Sequence, residues 1–481
     1  MGSGLSRKVW LSIAAALAGA LIVAVAAAGP GLYRTVLLGS GVTAEILCGG
    51  VFISGRDPQN VLVQDLRGLG YELLRFFRSE VDRKNTRVTA SLFGLGGQTA
   101  IFREGLGCTL LDGRTEVELR AESEGLFGAS QTAESDALWP EGERVELNAV
   151  PEGVDGAKLQ KAIDAIFSEP DPTHPRHTRA LVVVHRGRIV AERYAPGFDA
   201  HMPLLGWSMT KTAINALVGL RVGDGKMVVS ENALMPEWRD SNDRRRAITL
   251  DEMMRMTSGL VRNERYDDYG DVAQMLFVEG DAAAFAASKT LQDPPGTVWA
   301  PFIGGANIIS YVLRETFADP RDYLRYPRER LFTPLGMQTA VLQPDASGIF
   351  VGSSFLYASA RDWARLGLLF LRDGTWQADR LLPEDWVDYS LTPTEEAPQQ
   401  EYGAQIWLKL PESADGGNCQ CPKTHFTCFG HGKQIAAVVP SRDLVVVRLG
   451  LTSKNSDWDS ARELGPIVDA FPVAHETEKG G

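Results

Sequence analysis

The sequence predicts an α+β fold in which one antiparallel sheet is flanked by helices, with a mainly helical subdomain and an N-terminal transmembrane helix. Three patterns support this prediction. Two pairs of β-branched runs lie at 180–191 and 434–449, and a long stretch that reads as helix and loop separates them. Strand pairs in this order can join a single antiparallel sheet that carries helices on its faces. The third pattern is an almost wholly apolar run, 9–28, near the start of the chain.

This apolar run follows Arg7 and Lys8 and ends before Gly29 and Pro30. Roughly 20 apolar residues span a bilayer, and a basic flank stays in the cytoplasm. We therefore predict a cytoplasmic start at 1–8 and a membrane anchor at 9–29, with the following chain in the bacterial periplasm. The small residues at 26–28 leave a secretory signal as the alternative. We favour the anchor because the run exceeds the roughly 7–15 residues of a signal core.

The composition is that of a globular protein, with 44% hydrophobic and 23% charged residues among 481. The formal net charge of −12 argues against a nucleic-acid partner, because binding phosphates requires a basic surface. We expect no cofactor. The oligomeric state is not indicated by the sequence.

We divide the rest of the chain at a turn-rich segment, 139–142. Before it, an N-terminal extension at 30–150 combines short apolar runs with glycine-rich turns, which predicts short strands and one helix near 65–78. After it, a main domain is expected at 151–475, followed by a flexible tail at 476–481.

Five cysteines fit an exported protein, in which disulfides persist. Cys48 and Cys108 form one candidate bridge. Cys419, Cys421 and Cys428 form a second group that would supply another bridge and leave one thiol over. Zinc binding by this group with His425 is the weaker alternative, because the Cys-x-Cys spacing differs from the usual zinc knuckle. We therefore expect no metal.

The elements of the main domain follow from periodicity. Apolar residues at helical spacing predict a helix at 157–167. Two hairpins follow, at 180–191 with its turn at Arg186 and Gly187, and at 434–449 around the turn 440–442. A final helix is expected at 458–471.

Ser208 and Lys211 are the strongest chemical signal. A three-residue spacing on a helix places both side chains on one face. At a helix N-terminus the serine would gain backbone N–H groups suited to a developing oxyanion, and a desolvated lysine would accept its proton. The alternative is an N-cap serine followed by a solvated lysine, since Ser-x-x-Lys is common by chance.

The surrounding motifs resemble the β-lactamase-related serine hydrolases, most closely the branch of 6-aminohexanoate-dimer hydrolases and esterases. The resemblance covers roughly 155–472. The resemblance consists of five pieces in order along the chain. They are Trp-Ser-Met-Thr-Lys at 207–211, a segment at 248–260 that ends in Thr-Ser-Gly-Leu, Pro-Pro-Gly-Thr-Val-Trp at 294–299, a segment at 357–367 that begins with Tyr-Ala-Ser-Ala-Arg-Asp-Trp, and Gly-His-Gly at 430–432 leading into 438–446.

The resemblance implies hydrolysis of a small ester or amide through an acyl-enzyme on Ser208, with Lys211 as base. A strand motif would line the cleft and supply an oxyanion N–H, and its residues here are His431, Gly432, Lys433 and Gln434. Trp207 would wall the substrate pocket.

The family's catalytic tyrosine is replaced by Pro301, which has no hydroxyl. Tyr266 and Tyr269 lie in a nearby loop and are candidate replacements, and Asp268 beside them could attract a substrate ammonium group. Lys433 stands where a small glycine is expected, so it would crowd the cleft or supply a cation.

These departures keep two alternatives open. One is a catalytically impaired relative that binds a peptide or a cell-wall fragment, because a fold can persist without its chemistry. The other, a DD-peptidase or β-lactamase, is less favoured because both the tyrosine and the strand motif are altered.

Overall fold

The fold is described from a computed structural model, which defines residues 29, 31, 33–66, 72–128, 136–147, 150–264, 270–410 and 426–473. The predicted anchor therefore lies outside the described residues, apart from Gly29. The tail at 476–481 lies outside them as well.

The first described element is a helix, α1 (Tyr33–Ile53), which becomes a π-helix from Gly49. Short strands were expected from Val36 onward, and this prediction was wrong. Helix α1 is long and apolar enough to cross a membrane, yet 83% of its most apolar stretch is buried inside the protein. A helix that is apolar on all sides satisfies the pattern of a core helix as well as that of a membrane span.

The remainder of the N-terminal extension is an antiparallel meander, as its glycine-rich turns predicted. The expected single helix at 65–78 was wrong: π-helical residues 62–66 and a 3-10 turn at 72–76 flank residues that are not described, and a strand begins at Arg78. The regular elements are α2 (Pro58–Val61), β1 (Arg78–Asp82), β2 (Arg87–Leu92), β3 (Leu95–Arg103), β4 (Gly107–Leu110) and α3 (Glu116–Ser123).

A disulfide between Cys48 and Cys108 joins α1 to β4, as the cysteine pattern predicted. Cys428 carries a free, buried thiol, which is compatible with the one thiol expected to be left over from its group of three. It lies on a strand whose side chains at this point face the core. Cys419, Cys421 and His425 lie outside the described residues.

The main domain is built on a five-stranded antiparallel sheet in which the two predicted hairpins meet. Strand β5 pairs with β6 on one side and with β14 on the other, so residues more than 250 positions apart become neighbours. The order along the sheet is β12-β13-β14-β5-β6. The strands are β5 (Thr178–His185), β6 (Arg188–Tyr194), β12 (Phe426–Gly430), β13 (Gln434–Val439) and β14 (Leu444–Gly450).

Alternate residues of these strands enter two different cores. Leu181 and Val183 pack against the predicted first and last helices, α4 (Gly156–Ile166) and α14 (Ser460–Val468). Val182 and Val184 belong to the larger core on the opposite face. Burial on both faces explains the uninterrupted valine runs, which amphipathic strands lack.

The larger core also contains helix α12 (Ala360–Leu371) and the helices between the two hairpins. Gly367 lets α12 approach the sheet closely, because a Cβ there would stand 2.9 Å from Val445. The other helices are α5 (Thr210–Gly223), α6 (Leu250–Met254), α7 (Asp271–Phe277), α8 (Ala282–Ala287), α9 (Gly305–Glu315), α10 (Pro320–Pro327), α11 (Thr333–Leu335) and α13 (Trp386–Leu391).

Two small sheets complete the fold. The first is β7-β9-β8 (Leu204–Leu205, Leu356–Ala358 and Val341–Leu342), and the second pairs β10 (Thr375–Trp376) with β11 (Asp379–Arg380). The first of these is important for the site because Leu205 stands three residues before Ser208. The N-terminal extension shares the larger core, since Leu38 and Val42 of α1 belong to the same cluster as residues of α5 and α12.

Candidate active site

Ser208 lies in a 3-10 turn, Trp207–Met209, that leads directly into α5. The turn is fixed by its neighbours: Thr210 donates its hydroxyl to the Trp207 carbonyl at 2.7 Å and accepts the Leu356 N–H of β9 at 3.1 Å. Trp207 adopts a φ of +51°, a left-handed conformation that costs a bulky residue energy. The surrounding structure therefore holds the turn in one shape and leaves Ser208 only half-buried.

Lys211, in the first turn of α5, donates a hydrogen bond to Ser208 Oγ at 2.7 Å. The lysine is only 5% exposed. Its Nζ also lies 3.5 Å from the carbonyl oxygen of Ser353, at the outer limit of a hydrogen bond. Asn307 of α9 holds this segment, since its Oδ1 accepts the Ser353 N–H at 3.0 Å.

Burial lowers the pKa of Lys211 from its ordinary value of 10.5 to about 8, because the interior disfavours the ammonium form; the carboxyl group of Glu264 opposes this shift. Burial also raises the pKa of Glu264 to about 7. Its carboxylate accepts the Ile303 N–H at 3.1 Å. A lysine with this pKa is neutral in a useful fraction of molecules near neutral pH.

Strand β12 approaches the Ser208 turn without room for any side chain between them. A Cβ on Gly430 would stand 2.2 Å from the carbonyl oxygen of Gly206, and one on Gly206 would stand 2.3 Å from the Trp363 ring. Glycine is therefore required at both positions. This contact brings the Gly-His-Gly segment at 430–432 next to the turn that carries the Ser-x-x-Lys motif.

His431 packs edge-on against Trp207, with 5.3 Å between ring centroids. Burial lowers the pKa of His431 to about 4, so its imidazole is neutral at physiological pH. Trp207 is itself buried and belongs to the core, and its predicted contact with the substrate pocket stays a prediction.

The next residues of the predicted strand motif make structural hydrogen bonds and a turn. Gln434 is 2% exposed, and its side chain donates to the Leu205 carbonyl and accepts the Gly450 N–H, each at 2.9 Å. Gly432 and Lys433 form a tight turn with positive φ angles of 72° and 61°. Burial lowers the pKa of Lys433, Arg448 adds to this shift, and the carboxylate of Asp459 opposes it.

Pro301 is exposed, whereas the adjacent Phe302 is buried. The candidate replacements Tyr266 and Tyr269, together with Asp268, lie outside the described residues. Tyr357 is buried against α1, where a Cβ on Gly49 would touch its hydroxyl, so it belongs to the core.

Glu264 was missed at the sequence level. It stands five residues beyond the Thr-Ser-Gly motif, between Asn263 and Arg265, in a segment with no recognisable pattern. The sequence carries no signal that this half-buried glutamate influences the pKa of Lys211, because that influence depends on how its loop packs against 301–303. Within the part of the chain that the structure describes, no group of three His, Cys, Asp or Glu side chains could hold a metal ion.

Comparison with known proteins identifies the family of the fold. The Beta-lactamase family model matches residues 163–466, which is more than half of the chain. A putative 6-aminohexanoate-dimer hydrolase from Bacillus anthracis has a similar structure, with 19% sequence identity and a TM-score of 0.52, over 65% of this chain and 81% of that one.

Two further solved structures show weaker similarity. A D-stereospecific amidohydrolase from Streptomyces sp. has 15% identity and a TM-score of 0.49, over 66% of this chain and 98% of that one. A penicillin-binding protein homologue from Caulobacter crescentus has the same identity and TM-score, over 65% and 95% of the two chains. No curated protein gives a significant match.

The fold and these matches define the class: an α+β protein with antiparallel sheets and flanking helices, of the kind found in hydrolases. The chain belongs to the Beta-lactamase family, the β-lactamase-related serine hydrolases.

Proposed function

We propose that this protein hydrolyses an ester or an amide through an acyl-enzyme on Ser208, with Lys211 as the base. One observation carries the proposal: a buried lysine with a lowered pKa donates a 2.7 Å hydrogen bond to a half-exposed serine at the start of a helix. A structural N-cap serine needs no buried lysine. Burying an ammonium group without a direct carboxylate partner is costly and is typical of functional sites.

In acylation, Lys211 Nζ takes the proton from Ser208 Oγ while Oγ forms a bond to the substrate carbonyl carbon. The carbonyl π electrons move to oxygen and give a tetrahedral oxyanion. When they return, the bond to the leaving group breaks, and the leaving group departs with that electron pair and receives the proton from Lys211. In deacylation, water repeats the attack, loses its proton to Lys211, and Ser208 recovers a proton as the acid is released.

The family membership supports a hydrolase and leaves the substrate open. The names of the structurally similar proteins concern amides and penicillin-type ligands, and we propose only the shared chemistry, an acyl group on oxygen or nitrogen. Tyr266 and Tyr269 remain candidates to replace the catalytic tyrosine whose position in the family pattern is occupied here by Pro301. We also propose that the apolar run at 9–29 anchors the protein in the inner membrane and places the hydrolase domain in the periplasm.

Covalent labelling tests the proposal. We expect a fluorophosphonate probe to label the full-length wild-type protein and to spare Ser208→Ala. Ser288→Ala is the matched control, because Ser288 is an exposed serine at the end of α8. Absence of wild-type labelling, or equal labelling of Ser208→Ala, would contradict the proposal. It would favour the alternative of a non-catalytic relative that binds a peptide or cell-wall fragment.

A fluorescent penicillin added in parallel separates the two catalytic classes. Labelling by the fluorophosphonate alone supports an esterase or amidase. Strong labelling of Ser208 by the penicillin as well supports a DD-peptidase or β-lactamase.

A further inference from the structure

The turn between β2 and β3 exposes two large apolar side chains. Phe93 is 69% exposed and Leu95 is 67% exposed. Phe93 and Gly94 have positive φ angles of 52° and 84°, and Leu92 pairs with Leu95, as in a two-residue hairpin turn. Asparagine and aspartate are favoured at the first of these positions, because a positive φ is strained for a bulky residue. Phe93 therefore costs free energy through both its backbone and its exposed ring, which indicates a partner outside the fold.

Strand β3 runs along α1, and this fixes the direction in which the hairpin points. At one end, a Cβ on Gly96 would stand 2.7 Å from Val36. At the other end, Cys108 of the neighbouring strand β4 is bonded to Cys48 of α1. From Gly96 to the residue opposite Cys108 the strand spans about 20 Å, and from Val36 to Cys48 the helix spans about 18 Å. Because these lengths agree, the chain runs toward the start of α1 as it goes from Gly96 back to Phe93.

The hairpin tip, residues 92–95, reaches the level at which the predicted anchor ends. Phe93 lies three residues beyond Gly96, which is about 10 Å along a strand. A helix covers about the same distance in seven residues, and seven residues before Val36 is Gly29, which is itself helical. The apolar run at 9–28 ends directly before Gly29. The hairpin tip therefore stands beside the point where the proposed anchor leaves the bilayer.

Other exposed side chains at this end of the extension suit the same surroundings. Tyr33, at the start of α1, and Phe76 are both exposed. Phe76 belongs to this end because the ring of the next residue, Phe77, lies against Gly39 of α1. The guanidinium group of Arg75 lies 4.9 Å from the centre of the Phe76 ring. Aromatic rings flanked by basic groups are typical of a membrane–water interface.

We propose that the hairpin tip is a membrane-contact site, which inserts Phe93 and Leu95 into the surface of the bilayer beside the anchor. This inference rests on the anchor proposed at 9–29 and is independent of the chemistry of Ser208. A bilayer is the partner that the geometry favours, because the anchor keeps the tip at its surface. Insertion to the boundary between headgroups and acyl chains removes both side chains from water, which offsets the free-energy cost of exposing them. With two attachments, the hydrolase domain holds one orientation relative to the bilayer.

Quenching by brominated lipid tests the site. The full-length protein is reconstituted in vesicles of phosphatidylcholine and phosphatidylglycerol, with or without bromine on the acyl chains close to the headgroup. Phe93→Trp and Leu95→Trp each add one indole at the tip to the 10 tryptophans of the wild type. We expect the emission that each variant adds to be shifted to the blue in plain vesicles and lost in brominated ones. Two positions are used because one substitution could rearrange the turn.

Val117→Trp is the matched control. Val117 is an exposed apolar residue of α3, and the neighbouring Glu116 pairs with Arg87 at the start of β2. It therefore lies at the opposite end of the meander from the hairpin tip. The emission added by Val117→Trp should be equal in the two kinds of vesicle. Loss of emission in either tip variant with none in the control supports the contact.

Equal emission of both tip variants in plain and brominated vesicles would overturn the inference, and so would an equal loss in the control. If aqueous iodide quenches the unaffected tip emission, the tip lies in water; if it does not, a second copy of the chain or another protein covers the tip. In these cases, flotation of the wild type with the vesicles still supports the anchor. If the wild type does not float with the vesicles, the anchor and the membrane contact both fail, and the labelling test of Ser208 is unaffected.

Discussion

Replacing Lys211 by methionine should make the protein more stable while it abolishes labelling of Ser208. Lys211 is buried, and its pKa falls from 10.5 to about 8 because folding removes water from the ammonium group. Folding at neutral pH must therefore bury a charge that the unfolded chain keeps hydrated. Methionine has nearly the same length, is unbranched and carries no charge, so it can fill the space.

The expected gain in the free energy of unfolding follows from the shift in the pKa of Lys211. Each pKa unit corresponds to 1.36 kcal/mol, so a fall from 10.5 to about 8 amounts to about 3.4 kcal/mol of unfavourable free energy below pH 8. Losing the hydrogen bond to the half-exposed Ser208 offsets about 1 kcal/mol. We expect Lys211→Met to raise the free energy of unfolding by about 2 kcal/mol at pH 7.

The pH dependence gives the sharper test. The pKa in the folded state lies below that in the unfolded state, so the penalty is full below pH 8 and disappears as pH rises toward 10.5. At pH 9.5 about 1.4 kcal/mol remains, and the advantage of Lys211→Met shrinks to about 0.4 kcal/mol. Urea unfolding of both proteins at pH 7 and 9.5 measures this difference. A variant that is less stable at pH 7, or a difference independent of pH, would refute the assigned burial penalty.

Two further predictions concern the frame of the site. Gly430→Ala places a Cβ 2.2 Å from the Gly206 carbonyl oxygen, so β12 must move away from the Ser208 turn, and we expect fluorophosphonate labelling to slow by roughly tenfold or more. The control is Gly97→Ala, whose Cβ meets only a carbonyl oxygen at 3.9 Å and which should label at the wild-type rate. Equal labelling rates for both variants would contradict the argument that β12 and the Ser208 turn need glycine at this contact. The Cys48–Cys108 bridge closes a loop with a sequence separation of 60, so replacing both cysteines by alanine should lower the free energy of unfolding by about 4 kcal/mol in urea titrations. If the free energy of unfolding falls no more than it does for Cys428→Ala, packing alone holds α1 against β4.

The sequence predicted much of the main domain because the signals there are local. The helix at 156–166 and both hairpins follow from periodicity and turn residues within a few positions of each strand. Arg186 and Gly187 adopt positive φ angles of 51° and 73°, as a two-residue hairpin turn requires. The spacing of Ser208 and Lys211 likewise places both groups on one helical face without reference to the rest of the chain.

The predictions were wrong where contacts between residues far apart in the chain determine the local structure. Helix α1 is mainly apolar, and only its burial, with Cys48 bonded to Cys108 of β4 and Gly49 against Tyr357 of β9, assigns it to the core. Cys428 is buried on its strand, and cysteine spacing does not indicate which thiol of the group of three is free. Edge strand β12 was not predicted as a strand at all.

Some features of the candidate site likewise follow from the sequence, and others depend on tertiary packing. The amino-acid sequence by itself determined the Ser-x-x-Lys spacing and the proline at position 301, since both are matters of residue identity and spacing. Only the tertiary structure decided that Lys211 is desolvated, that β12 touches the Ser208 turn through two glycines, and that Glu264 influences the pKa of the lysine. Burial and electrostatic proximity arise when segments far apart in the chain pack together, and the ionisation of Lys211 depends on both.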